Sequence, residues 1–182
     1  RNLLIEEINF KVTIKNWIIE KILAQSSSEC DHILQTLLNQ KAWVNLPRRH
    51  KSYYKVLQKF LKKTKNIEIN VDGGNWGLAC NAIHFLDLIE YLTSQKIAIV
   101  NCSNLYKEWF KSKRDGFYEI NGIISGQTNQ GTLFKLKSTN DKNERLISII
   151  SKEFEIIINE MKEEVIFNNR KKKKVTLIYQ SQ

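Results

Sequence analysis

The sequence predicts an α+β protein of two tandem winged-helix-like units, residues 1–95 and residues 96–182, each a helix bundle closed by a β-hairpin. Three observations predict it. Helical spacing of apolar residues gives way to strand-like runs twice along the chain. Each change lies beside a turn signal, Asp72-Gly73-Gly74-Asn75 in the first half and Asn168-Asn169 in the second. The chain is also basic, with 29 Lys and Arg against 19 Asp and Glu for a net charge of +10, which favours an anionic partner.

In the first unit, Leu3, Leu4, Ile5, Ile8 and Phe10 fit either a helix start or a short strand. Thr13 is placed to N-cap a helix over Ile14 to Ala24, and Ser26-Ser27-Ser28 ends it. Ser28 followed by Asp31 is a capping signal for a second helix through Ile33, Leu34, Leu37 and Leu38. Pro47 and the cluster Arg48-Arg49-His50-Lys51 read as a loop. A third helix fits Tyr53 to Lys63, with Tyr53, Val56, Leu57 and Phe60 inward and Lys55, Lys59, Lys62 and Lys63 outward. Ile67-Glu68-Ile69-Asn70-Val71 alternates strictly, as a half-buried strand does, and Trp76 to Cys80 is its expected return strand.

The rest follows the same plan. Ala82 to Thr93 is a helix carrying Ile83, Leu86 and Ile89. Ile97 to Val100 is a short strand, and a helix covers Leu105, Trp109 and Phe110. Phe117 to Ile124 and Thr132 to Leu136 are strands, with Gly122, Gly126 and Gly131 as a glycine-rich link, and the polar Ser138 to Asn143 is a hinge. Leu146, Ile150, Phe154, Ile157 and Met161 then share one face of a long amphipathic helix. Val165-Ile166-Phe167 and Val175 to Tyr179 form the closing hairpin, with Arg170, Lys171, Lys172, Lys173 and Lys174 at its tip.

Composition bounds the function. Apolar residues make up 42%, which excludes wholesale disorder. The 3 cysteines, Cys30, Cys80 and Cys102, are scattered, which argues against a disulfide framework or a zinc site and for a reducing compartment. No apolar run approaches the roughly 18 residues of a membrane span, and no signal peptide is visible. Arg1 in place of a starting Met points to a fragment with a further domain upstream. Heavy use of Lys, Asn and Ile reflects an A/T-rich coding background, which discounts part of the charge.

The basic wing, Arg170 to Lys174, reads either as a phosphate contact or as a solvated tip that protects a sheet edge. Arg48, Arg49, Lys51, Lys55 and Lys59 form a second basic stripe, again a phosphate contact or a solvated face. Trp43 and Trp76, each beside a turn or loop, are candidates for a protein interface. No cofactor or metal site is expected, and there is no phosphate-binding glycine loop. The competing class is a metal-dependent nuclease, restriction-endonuclease-like or of a small ribonuclease fold, using Glu68 and Asp72. Asn70 stands where such a site needs lysine.

The order helix bundle, hairpin, helix bundle, hairpin, with the helix-plus-wing from Glu144 to Tyr179, resembles the C-terminal tandem winged-helix region of the Stn-type small OB-fold subunit of the CST telomere complex. The resemblance spans nearly the whole chain. It implies a non-enzymatic, nuclear DNA-maintenance adaptor associated with telomeres and replication. Its implied partners are the large CST subunit, DNA polymerase alpha-primase, and single-stranded or telomeric DNA. No family residue maps to a numbered position.

Overall fold

The computed structural model describes residues 2–169 and 174–180, with side chains from Leu3 to Asn169. The chain divides after Pro47 into two units, Arg1–Pro47 and Arg48–Gln182. Residue 95, the expected boundary, falls within the second unit.

The first unit runs α1 (Asn2–Lys11), β1 (Asn16–Glu20), α2 (Ser27–Thr36), β2 (Lys41–Asn45). β1 and β2 pair in parallel, Asn16 opposite Lys41 through Glu20 opposite Asn45. Parallel neighbours need a crossover, and α2 provides it. Ser26, not Ser28, caps α2: its hydroxyl accepts from the Glu29 amide at 3.2 Å. The helix expected over Ile14 to Ala24 is replaced by β1. There Trp17, Ile18 and Ile19 follow the preference of aromatic and β-branched residues for extended backbone. The unit's core is Ile5, Ile19, Ile33 and Leu37. Ile18, at 77% exposure, and Trp43, at 54%, lie outside it.

A short helical turn, Pro47–His50, begins on the last residue of the first unit and leads into α3 (Ser52–Leu61), β3 (Glu68–Gly74) and α4 (Leu78–Thr93) of the second. Then come β4 (Ile97–Lys111), β5 (Tyr118–Thr128), β6 (Leu133–Thr139), β7 (Leu146–Ile150), β8 (Phe154–Asn159), β9 (Glu164–Asn169) and β10 (Lys174–Gln180). These strands form one 8-stranded sheet in the order β10-β9-β8-β7-β3-β6-β5-β4. β3 and β6 are parallel and every other neighbouring pair is antiparallel. Apolar residues of α3 and α4 (Tyr54, Leu57, Leu61, Leu78, Phe85, Leu88, Leu92) share one core with the sheet's Ile69, Val71, Leu136, Ile149 and Ile156.

The architecture is therefore α/β with a mixed sheet, not α+β with two winged-helix units. The decisive correction is the long helix expected from Leu146 to Met161. That segment is two strands. Ile147 and Ile149, then Phe154, Ile156 and Ile158, are buried at alternate positions, while Leu146 is 38% exposed and Met161 77%. The Ser151 hydroxyl accepts from the Glu153 and Phe154 amides at 3.1 and 3.0 Å and fixes the turn between them. The closing hairpin exists as β9 and β10, but it ends a wide sheet instead of flanking a helix bundle. Trp109 and Phe110 lie in β4, not in a helix. Trp76 to Cys80 does not return as a strand: Gly77, at φ 74°, takes the left-handed conformation that suits glycine, and α4 begins at Leu78.

Candidate functional site

In α/β sheets, ligands bind beyond the carboxyl ends of parallel strands. Here those ends are Gly74 of β3 and Thr139 of β6, which lie opposite each other. Residues 140–145 pass directly over them. A Cβ at Gly74 would sit 2.0 Å from the Asp141 carbonyl oxygen, so only glycine admits this approach. The Gly74 amide donates to the Asn143 carbonyl at 3.0 Å and the Asn75 amide to that of Thr139 at 2.8 Å.

A carboxamide network holds the corner. Asn121, buried on β5, donates to the side-chain oxygens of Asn75 at 2.8 Å and Asn140 at 2.7 Å, and accepts from the Ser138 hydroxyl at 2.5 Å. Asn75 donates to the Asn140 carbonyl at 3.1 Å. The Trp76 indole donates to the Lys137 carbonyl at 2.7 Å, and its ring meets Phe85 edge-on at 5.1 Å. The result is a rigid entry into α4.

The first turn of α4 is closed by charge. Buried Glu119 of β5 accepts from the Ala79 amide at 2.9 Å, placing a carboxylate at the positive end of the helix. The Asn81 carboxamide donates to the Trp76 carbonyl at 2.9 Å. Cys80, His84, Asp87 and Tyr91 follow at helical spacing along one stripe of α4, with Cys80 exposed and His84 buried. The corner thus gathers the carboxamides of Asn75, Asn81, Asn121 and Asn140, while the pair Lys137–Asp72, 3.0 Å apart, lies on the sheet face opposite buried Val71 and Leu136.

Behind α4 lies a buried ion cluster. The Arg48 guanidinium donates to Glu160 at 3.0, 3.2 and 3.0 Å, Arg145 donates at 3.0 Å and the Tyr54 hydroxyl at 3.0 Å. Both guanidiniums stack on Phe85, at 4.2 and 5.3 Å from its centroid. Burial pushes the Glu160 carboxyl up, but Arg48, Arg145 and the Tyr54 hydroxyl outweigh it and hold it below the usual carboxylate range. Burial, reinforced by the Glu160 carboxylate, pushes the Tyr54 phenol well up.

The expected site residues fall elsewhere. Arg48 is locked on Glu160, and Arg49 on Asp87 and over the Tyr91 ring at 5.6 Å, so both serve the fold. Lys51 lies 5.5 Å from the Tyr53 ring centre, and Lys55 and Lys59 are exposed on α3. Trp76 is buried in the core of the second unit, while Trp43 lies exposed on β2 of the first. Arg170, Lys171, Lys172 and Lys173 lie outside the described residues, as does the side chain of Lys174, the first residue of β10. Glu68 and Asp72 are four residues apart on β3, about 13 Å at strand rise, too far to share a metal. Among the described residues no group of three or more His, Cys, Asp or Glu side chains could hold one. No helix among them is long and apolar enough to cross a membrane.

The sequence reading missed Asn81, Glu119, Asn121 and Glu160. The earlier start of α4 had its signal: Leu78, Ala82, Phe85, Leu88 and Leu92 recur at steps of three or four, and Leu78 lies upstream of the expected helix start.

No family model and no curated protein matches the sequence. Solved structures do match. UDP-N-acetylglucosamine 3-dehydrogenase GnnA from Acidithiobacillus ferrooxidans aligns over 100% of this chain and 61% of its own, at TM-score 0.69 and 13% identity. Levoglucosan dehydrogenase, solved with NADH and levoglucosan, aligns over 90% of this chain and 54% of its own, at 0.68 and 15%. A super-repressor mutant of Gal80p from Saccharomyces cerevisiae aligns over 93% and 54%, at 0.67 and 15%. The fold is one that dehydrogenases carry. This chain spans less than two thirds of each of these three. These likenesses overturn the winged-helix resemblance and, with it, the telomere adaptor, the CST and polymerase partners and the nuclease alternative. The expectation of a non-enzymatic protein falls with them, since two of the three are named dehydrogenases.

Proposed function

We propose that this chain is the substrate-binding part of an oxidoreductase acting on a polyhydroxylated, sugar-like compound. The observation that carries the reading is the corner at the carboxyl ends of β3 and β6. There Asn75 and Asn81 lie at the start of α4, in a fold shared with proteins named for sugar substrates. Carboxamides donate and accept at once, which matches the hydroxyl groups of a sugar. An imidazole on the same helix suits the removal of a hydroxyl proton, the acid–base step any alcohol oxidation requires.

The residues present do not fit the pyrophosphate of a nicotinamide dinucleotide. The sequence has no G-x-G-x-x-G loop, and the anion-attracting N-terminus of α4 is taken by the Glu119 carboxylate. Those groups have to come from outside these residues. The parallel β–α–β of the first unit supports this division of labour. Parallel sheets are covered on both faces, and Ile18 and Trp43 here are not.

Calorimetric titration with neutral sugars, polyols and small dicarboxylates tests the reading. Saturable binding of a polyhydroxylated compound is expected, weakened about tenfold in Asn81→Ala, where a lost hydrogen bond is worth about 1 kcal/mol or more. His84→Gln keeps the binding and lowers turnover of the assembled oxidoreductase by about a hundredfold or more. Binding of dicarboxylates alone, or sugar binding unchanged in Asn81→Ala, would overturn it.

A further inference from the structure

The β4–β5 ribbon carries exposed aromatic side chains that the core does not use. Its root is fixed. β5 pairs with β6 only from Gly122 to Gln127, so Tyr118 to Asn121 and their β4 partners run past the end of β6 as a two-stranded arm. Trp109 faces Ile120, Phe110 faces Glu119 and Lys111 faces Tyr118. Since side chains alternate across a strand, Trp109, Lys111 and Tyr118 share one face, the two rings at diagonal positions within reach of each other. Trp109 is 60% exposed and Tyr118 59%.

The tip is ordered by its own bonds. The Ser112 amide donates to the Phe117 carbonyl at 2.9 Å, and the Ser112 hydroxyl accepts from the Arg114 amide at 3.0 Å. Gly116 turns the chain at φ 76°. The Arg114 guanidinium lies 5.4 Å from the centre of the Phe117 ring. Across residues 106–118, Lys107, Lys111, Lys113 and Arg114 outnumber Glu108 and Asp115. Flat stacking surfaces beside cations match a ligand that is aromatic at one end and multiply anionic next to it.

We propose that the β4–β5 ribbon binds a nucleoside 5′-diphosphate, the base stacking on Trp109 and Tyr118 and the phosphates pairing with Lys111, Lys113 and Arg114. The site is separate from the corner. Glu119 and its partner Phe110 occupy the other face of the ribbon, the one that meets α4, and Lys113 and Arg114 lie farther out toward the tip than Trp109. The nucleotide site therefore stands on the ribbon alone.

Titration calorimetry on the whole chain with UDP, ADP, inorganic pyrophosphate and a free sugar tests the proposal. UDP or ADP is expected to bind, and pyrophosphate at least tenfold more weakly. Trp109→Ala is expected to weaken the nucleotide about tenfold to a hundredfold, with Trp109→Phe restoring most of the affinity and neither variant shifting the melting temperature. Lys113→Glu combined with Arg114→Glu should abolish binding. Four results would overturn the proposal: equal affinity for pyrophosphate and nucleotide, indifference to Trp109→Ala, preference for an oligonucleotide over the mononucleotide, or a dimer broken by Trp109→Ala with no nucleotide bound. Sugar binding that survives when nucleotide binding is absent would sink the ribbon alone. Nucleotide binding without sugar binding would sink the oxidoreductase reading alone.

Discussion

Glu160 shows how single residues organise the second unit. Its side chain is 7% exposed and faces two guanidiniums and a phenol. Removing one partner of such a buried cluster leaves charge uncompensated, at about 3–5 kcal/mol. Glu160→Gln is therefore expected to lower the urea midpoint by that much stability at neutral pH. The carboxyl also titrates below its ordinary value of 4.5 in the folded chain. A depressed folded value means the contribution is fully present above 4.5 and lost as pH falls through the lower folded value. Melting temperatures taken downward from pH 5 should fall in the wild type more steeply than in Glu160→Gln, and parallel curves would refute the assignment. Gly74 offers a second residue-level test. Its missing Cβ leaves room for the Asp141 carbonyl, so Gly74→Ala should displace residues 140–145 and cost about 1–3 kcal/mol. Chemical shifts in that loop, followed with the melt, check both effects.

At the level of elements, the segment from Leu146 to Asn159 shows what the sequence made legible and what it hid. An isoleucine-rich stretch satisfies two periods at once. Leu146, Ile150, Phe154 and Ile157 fit a helix, while Ile147, Ile149, Phe154, Ile156 and Ile158 fit strands interrupted by Ser151. Tertiary packing decides, and it buries the second set. α3 and β3 were legible because each had one clear period, and β9 and β10 because a turn signal separated two β-rich runs. Strand order was not legible: β3 sits between β6 and β7, pairings across distances that no local window samples. The same limit hid the site. Asp72 to Asn75 was read as a turn, whereas β3 continues through Gly74 and only Asn75 lies beyond it, and the partners of Asn75, Asn121 and Asn140, lie far along the chain, as does Glu160 from Arg48. Alanine substitution distinguishes the two periods directly. Ile149→Ala should cost about 2–5 kcal/mol, and Leu146→Ala and Met161→Ala less than about 1 kcal/mol, as buried and exposed positions require. The reverse order would restore the helix.

For the molecule as a whole, the two units differ in how much apolar surface each buries. The first rests on Ile5, Ile19, Ile33 and Leu37, with two parallel strands. A parallel pair is ordinarily enclosed in a larger sheet, and a pair of strands without more around it is marginal in water. The second has a continuous core under α3 and α4, and β3, β7 and β8 lie inside its sheet with neighbours on both sides. Local opening free energies range from near zero up to the global value, according to this kind of contact density. Backbone amides of Ile69, Val71, Ile147, Ile149 and Ile156 are therefore expected to exchange slowest in the chain, close to the limit set by global unfolding. Amides of Trp17 to Glu20 and Ala42 to Val44 should exchange orders of magnitude faster. Hydrogen exchange read by mass spectrometry separates the segments. Equal protection in β1 and β3 would mean that Ile18 and Trp43 are covered in solution. The first unit would then already hold the sheet partners that the oxidoreductase reading places outside these residues.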